Sequence, residues 1–263
     1  MKVMLCGDSH RNTQFLQSAM IHASAAGIDR VIQLGDFGIK TTLEGQSFLS
    51  ALSTTAERTD VRLDFIDGNH DDHDELYRLR TDPARQHEDG SIVVRPGVHY
   101  WPRGTVIDLG GRRIGFLGGA VSVDRDRRLP GISWWANEPI TAEDVELLAL
   151  NAGGALDVLL THETINGISL PSRYNDWPID VEIDSREQRI LVARAVEMTR
   201  PSLMVHGHWH IRYTAEYGQS TRVLGLGHES ASGMAILDLK TLGIDDIGVS
   251  IPNIREIWES YRS

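Results

Sequence analysis

One local pattern constrains this chain more than any other: a short apolar run, then a turn, then side chains that bind metals. It occurs five times. Val3–Cys6 runs into Gly7-Asp8-Ser9-His10, Val31–Leu34 into Gly35-Asp36, and Val61–Ile66 into Asp67-Gly68-Asn69-His70-Asp71. Leu156–Leu160 runs into Thr161-His162-Glu163, and Ser202–Val205 into His206-Gly207-His208-Trp209-His210. Runs of this length and composition read as strands. In α/β sheets, ligands gather beyond the carboxyl ends of the strands, so residues far apart in sequence are expected to meet there.

The segments between the runs support an α/β fold. Phe15, Leu16, Ala19, Met20 and Ala23 recur at helical spacing, and Gly27 is a natural stop. A second helical stretch covers Leu43–Glu57. The first third is therefore βαβαβ, which predicts parallel strands with right-handed crossovers. The period then changes. Thr105–Leu109 and Arg113–Leu117 form a predicted hairpin through Gly110-Gly111. Thr141 and Asp144 make a capping box for a helix through Leu150, and Ser185–Thr199 reads as a helix with Ser185 as cap and Gln188 three residues on. Ile211–Glu216, Thr221–Leu226 and Met234–Leu239 are further β-like runs. No repeat, low-complexity tract or linker divides the chain, so residues 1–263 are expected to form one domain. The irregular stretch from Asn166 to Asp184, with Pro171, Tyr174, Trp177 and Pro178, is the expected loop over a site.

Composition narrows the function. The net charge is −11, which weighs against a protein whose main task is gripping duplex DNA. A lone cysteine, Cys6, rules out an internal disulfide and fits a reducing compartment. No segment approaches the roughly 20 apolar residues of a membrane span, and the first apolar run is too short for a signal-peptide core. A cytoplasmic location and no membrane partner are the expectations.

Carboxylate oxygens and neutral imidazoles are donors for Mn²⁺, Fe or Zn²⁺. With the Asn69 carbonyl included, the five clusters hold enough ligands for two ions. Singly, most have ordinary explanations. Asp8-Ser9-His10 could cap the next helix, Gly35-Asp36 is a common strand-to-loop signal, and a lone His162 is more often a satisfied histidine. Asn69-His70 at a strand end has no ordinary packing use. His208 and His210 fall on one side of an extended segment, whereas His206 falls on the other and reads as structural. The recurrence at five strand ends separates a site from coincidence.

The order Asp-x-His, Gly-Asp, Gly-Asn-His-Asp, lone His and Gly-His-x-His, over residues 6 to 210, resembles the signature of calcineurin-like metallophosphoesterases. The resemblance implies a four-layer α/β/β/α sandwich with two central mixed sheets and a metal site at the strand C-terminal ends. It implies one ion held by Asp8, His10, Asp36 and His210. A second would be held by Asp36, Asn69, His162 and His208, with Asp36 bridging. His70 and Asp71 match the family's catalytic pair. Two departures stand out. Gly35-Asp36-Phe37-Gly38-Ile39-Lys40 lacks the Gly-Asp-x-x-Asp-Arg-Gly of the protein phosphatase and dinucleoside tetraphosphatase branches. The segment from Gly118 through Trp135 looks like that of small bacterial and phage members.

What this implies is a hydrolase using two divalent ions, manganese first among them, to cleave phosphomonoester or phosphodiester bonds. Two metals about 3.5–4 Å apart make hydroxide from bound water near neutral pH, and that metal-bound hydroxide would attack phosphorus. His70 would protonate the leaving group, and Asp71 would orient His70 and favour its charged form. Arg125, Arg127 and Arg128 could grip phosphate, but a solvated loop balanced by Asp124 and Asp126 is the favoured reading. Trp134 and Trp135 could stack on a base or simply be buried. A DNA nuclease of the same family and a non-catalytic binding module are the competing functions. The complete ligand set argues against the module.

Overall fold

A computed structural model describes residues 1–170 and 178–247. In chain order the elements are β1 (Lys2–Cys6), α1 (Thr13–Ala25), β2 (Arg30–Leu34), α2 (Leu43–Thr59), β3 (Arg62–Ile66), α3 (His73–Thr81), β4 (Ile92–Arg95), β5 (Val98–Tyr100), β6 (Val106–Leu109) and β7 (Arg112–Leu117). They continue with α4 (Ala142–Ala152), β8 (Val158–Thr161), α5 (Ile179–Thr199), β9 (Leu203–His206), β10 (Tyr213–Tyr217), β11 (Thr221–Gly225), β12 (Met234–Asp238) and β13 (Gly243–Asp246).

The strands form two mixed sheets, ordered β13-β12-β1-β2-β3-β5-β4 and β10-β11-β9-β8-β7-β6. β1, β2 and β3 pair in parallel, as the βαβαβ pattern requires. β7, β8 and β9 do the same in the second sheet. Both sets are covered on both faces, which is why they read as unbroken apolar runs. Val3, Leu5, Ile32 and Leu34 face Phe116, Leu160 and Val205 across the sheet–sheet interface. Trp101 and Phe116 stack there, with ring centroids 4.8 Å apart. Residues of α1, α2 and α3 cover the outer face of the first sheet, and α4 and α5 that of the second. This is the expected α/β/β/α sandwich. No helix among the described residues is long and apolar enough to cross a membrane.

Local chemistry explains the boundaries. The Asn12 side chain accepts from Phe15 N–H at 3.1 Å and opens α1. The Thr141–Asp144 capping box is formed at α4. The hairpin turns at Gly110 and Gly111, whose φ values of 61° and 76° suit a two-residue turn. Between Asp72 and Gly104, where apolar spacing marks no element, the chain forms α3, β4 and β5. These are short, and α3 is largely polar. β13 likewise carries no sequence signal. α5 begins at Ile179, six residues before the expected cap. Asp180 and Glu182 suit its first turn, Val181 and Ser185 are buried, and Gln188 Oε1 accepts from Ile140 N–H at 2.6 Å instead of capping. Of the expected loop over the site, residues 171–177, with Pro171, Tyr174 and Trp177, lie outside the described residues.

Leu5 is fully buried between the sheets. Leu5→Ala should lower the unfolding free energy by roughly 2–5 kcal/mol, measured by denaturant titration. A loss under about 1 kcal/mol would mean that the inter-sheet interface is not a tightly packed core.

Candidate functional site

The ends of β1, β2 and β3 meet those of β8 and β9 where the two sheets face each other, and this brings Asp8, His10, Asp36, Asn69, His70, His162, His208 and His210 together. The approach is close enough to need glycine. A Cβ on Gly68 would lie 2.1 Å from Asp36 N and 2.7 Å from His162 Nε2. His10, Asp36, His208 and His210 all adopt left-handed backbone, with φ of 44°, 53°, 64° and 55°. Such conformations cluster where function over-determines the geometry.

Asp36 sits at the centre. It is 2% exposed, and its Oδ1 accepts from His70 N–H at 2.8 Å. Three imidazoles approach the carboxylate: His10 Nε2 at 3.5 Å, His162 Nε2 at 3.4 Å and His70 Nε2 at 3.7 Å. Asp8, fully buried, accepts from His208 N–H at 2.8 Å and lies 2.8 Å from His210 Nε2. Potential ligand atoms form three overlapping groups: Asp8, His10 and His210; His10, Asp36 and His70; Asp36, His162 and His208.

Surrounding groups fix which atom each side chain presents. His162 Nδ1 donates to Leu34 O at 2.7 Å, so Nε2 faces Asp36 and Asn69 Oδ1. The Asn69 amide nitrogen donates to Ser122 Oγ at 3.1 Å, and Ser122 in turn donates to the buried Glu138 at 3.0 Å. This chain turns the Asn69 carbonyl inward. His10 Nδ1 lies 3.3 Å from Glu229 Oε2, a carboxylate–histidine pair of the kind that orients metal-binding imidazoles.

Electrostatics fit a cation. Burial opposes charge on Asp36, but His70, His162 and His10 outweigh it and hold the carboxyl well below its usual range. Burial also opposes protonation of His162, yet Asp36 and Asp8 push it up to about 10. Burial, with His162 beside it, takes His208 down to about 3. The two buried carboxylates thus favour positive charge between them. A divalent ion would displace the proton on His162. The oxygen and nitrogen donor set suits a transition metal.

Asp71 departs from expectation. Its carboxylate accepts from the backbone N–H groups of Phe37, Gly38, Ile39 and Gly68, at 3.2, 2.7, 3.1 and 2.8 Å, and so clamps the loop after Asp36. It does not orient the His70 ring. That ring lies against Arg128, with Nη1 2.9 Å from Nδ1 and Nη2 2.7 Å from Nε2. Burial, with Arg128 and His10 adding to it, lowers the His70 pKa despite Asp36, so the charged form is not favoured.

Of the loop arginines, Arg125 pairs with Asp184 and Asp180, and Arg127 is exposed. Arg128 keeps Asp124 as a partner at 2.6 Å but turns inward. Trp135 is buried, with Nε1 donating to Asp74 and Lys40 over its ring, and so serves packing. His206 is structural, held by Tyr213 Oη and Gly207 O. His228 and Glu229 are absent from the sequence-based set, although Leu226-Gly227-His228-Glu229 after β11 repeats the pattern of apolar run, glycine and histidine. Glu229 N–H donates to Asp8 O at 2.9 Å, which seats that loop on the site.

The calcineurin-like phosphoesterase superfamily domain matches residues 1–132. No curated protein matches the chain in sequence. Among solved structures, the fold is similar to that of TT1561 of Thermus thermophilus, with a TM-score of 0.62, 14% identity, and coverage of 93% of this chain and 96% of that one. It is also similar to a dimetal phosphatase from Danio rerio, with a TM-score of 0.54, 12% identity, and coverage of 90% and 91%.

The clamp by Asp71 predicts the behaviour of Asp71→Asn. An amide offers one acceptor oxygen where two now serve four donors, so two buried N–H groups lose their partners. Unfolding free energy of the metal-free protein should fall by roughly 2–6 kcal/mol, at 1–3 for each stranded group. If Asp71 served only to orient His70, metal-free stability would not change.

Proposed function

Because the chain belongs to the calcineurin-like phosphoesterase superfamily, we propose that it is a dinuclear metal-dependent hydrolase of phosphomonoester or phosphodiester bonds. The observation that carries this reading is the position of Asp36, shared between one group of potential ligands with His10 and His70 and another with His162 and His208. In this reading Asp8, His10, Asp36 and His210 hold one ion. Asp36, Asn69, His162 and His208 hold the other. Manganese is the first ion to try, with iron and zinc as alternatives.

Two such ions would supply a water acidic enough to attack phosphorus near neutral pH and a clamp for developing charge. The chain's own residues do the rest. Leu34 O, Glu229 and Ser122 hold His162, His10 and Asn69 in register. Asp71 fixes the loop that carries Asp36. His70, next to Asn69 yet lying against Arg128, protonates the leaving oxygen. Its lowered pKa makes the protonated ring a stronger acid, while fewer molecules carry that proton at rest. The residues present also oppose the non-catalytic reading, since each expected ligand position is filled by a competent donor.

Activity is tested on chromogenic phosphomonoesters and phosphodiesters and on single- and double-stranded DNA, with added Mn²⁺. EDTA should abolish hydrolysis and Mn²⁺ should restore it. Full activity in chelated, metal-free protein would falsify the mechanism, and preference for DNA would make the protein a nuclease. By elemental analysis, Asp36→Asn should lose both ions and His10→Ala one. Normal metal content in Asp36→Asn would remove Asp36 as the bridge.

His70→Asn should keep its metals. Its rate should fall by about 10²–10⁴-fold on an alkyl ester, and far less on a nitrophenyl ester, whose leaving group needs little protonation. Equal losses on both esters would show that His70 is not the acid.

A further inference from the structure

Arg128 lies in the segment between β7 and α4. Its side chain is 10% exposed although Arg127 and Leu129 on either side are exposed. It is anchored at two points: Nε donates to Asp124 Oδ1, which also lines the cavity, at 2.6 Å, and Nη1 to Ser133 O at 3.1 Å. The fork then faces both nitrogens of His70, at 2.9 and 2.7 Å. Those two contacts cannot both be hydrogen bonds. A guanidinium only donates, a neutral imidazole has one accepting nitrogen, and an imidazolium has none. At least one contact therefore sets donor against donor. Among the described residues Arg128 is left with an N–H lacking an acceptor on the wall of a cavity of about 360 Å³, which it shares with His10, Asp36, Asn69 and His208. Among the described residues it is the one lysine or arginine lining that cavity.

We propose that Arg128 reads the substrate's phosphoryl group and makes the site prefer a dianionic phosphomonoester. An anionic oxygen brought to the Nη atoms supplies the acceptor that His70 cannot, and Arg is suited to such an oxygen by its planar fork. The preference follows from the oxygens on phosphorus. A phosphomonoester has three non-bridging oxygens sharing two charges, whereas a diester has two sharing one. If the two ions of the proposed function take two of these oxygens, the monoester has a third for Arg128. In a diester that position carries an ester substituent, which meets the guanidinium instead. Asp124 and Ser133 O both bind the arginine where it stands, so a substituent there displaces it from these partners. The inference rests on the phosphoesterase reading for the ester preference, while the anion contact stands on the Arg128 geometry.

The test uses the full-length, Mn²⁺-loaded protein as wild type, Arg128→Ala and Arg128→Lys, with metal content measured for each. Binding of inorganic phosphate is followed by calorimetry. kcat/KM is measured on p-nitrophenyl phosphate and bis(p-nitrophenyl) phosphate. Phosphate should bind about ten- to a hundred-fold more weakly to Arg128→Ala, the loss of a hydrogen bond to a charged group, with Arg128→Lys in between. Monoester kcat/KM should fall by a similar factor, chiefly through KM, and diester kcat/KM far less. Unchanged phosphate binding in Arg128→Ala would overturn the proposal. So would equal losses on the two esters, or loss of metal in both variants, since Arg128 would then act by supporting His70 and the centre. If wild type hydrolysed neither ester yet bound phosphate through Arg128, the phosphoesterase reading would fail and the anion contact would remain.

Discussion

A buried carboxylate governs this molecule. Asp36 is almost without exposure, and removing an uncompensated carboxylate from water costs several kcal/mol. The chain supplies one backbone N–H at hydrogen-bond distance and three imidazoles at 3.4 to 3.7 Å, too far for good hydrogen bonds. That compensation holds the carboxyl well below its usual range, and it depends on positive charge gathered beside Asp36 and Asp8. The surrounding architecture answers this one need by aiming five strand ends at it.

The aiming has a conformational cost. Left-handed backbone at His10, Asp36, His208 and His210 costs roughly 1–2 kcal/mol per residue. The sandwich interior offsets it, because each large apolar side chain buried between the sheets contributes on the order of 1.5–3 kcal/mol. Asp71 then locks the strained turn at Asp36 by gathering three consecutive amides. A strained centre inside a rigid, well-packed frame is a natural division of labour, since strain persists only where the surroundings over-determine it.

The strand ends were legible because their signal is local. An apolar run, a glycine and a metal donor sit within a few residues, and the fold needs only to collect them. The hairpin at Gly110-Gly111 and the box at Thr141–Asp144 are local too. What was hidden depended on direction or on distance. Asp71 follows His70 in sequence, yet adjacent side chains diverge, and its carboxylate points to amides 32 to 34 positions earlier. Arg128 belongs to a charged stretch that reads as solvated, and only the tertiary fold turns its fork onto His70. α3 carries too few apolar residues for periodicity to mark it, and β4 and β5, four and three residues long, are too short to show a period. α5 starts in a stretch where Asp180, Glu182 and Asp184 break up the apolar stripe.

The place of β1 has a consequence for how the molecule is made. β1 pairs with β2 on one side and with β12 on the other, so that Cys6 lies beside Met234. On the ribosome, β1, β2 and β3 emerge early and have their crossover helices at hand. The other edge of β1 stays open until nearly the whole described chain has been synthesised. An open edge next to apolar residues is a template for pairing with the wrong partner. The loop that seats Glu229 on Asp8 also arrives only with that late strand. A nascent chain therefore carries Asp8, His10 and Asp36 through the synthesis of β3 to β11 without the wall that completes their surroundings. Its vulnerable period is set by the wait for β12 and not by the folding of the parallel core.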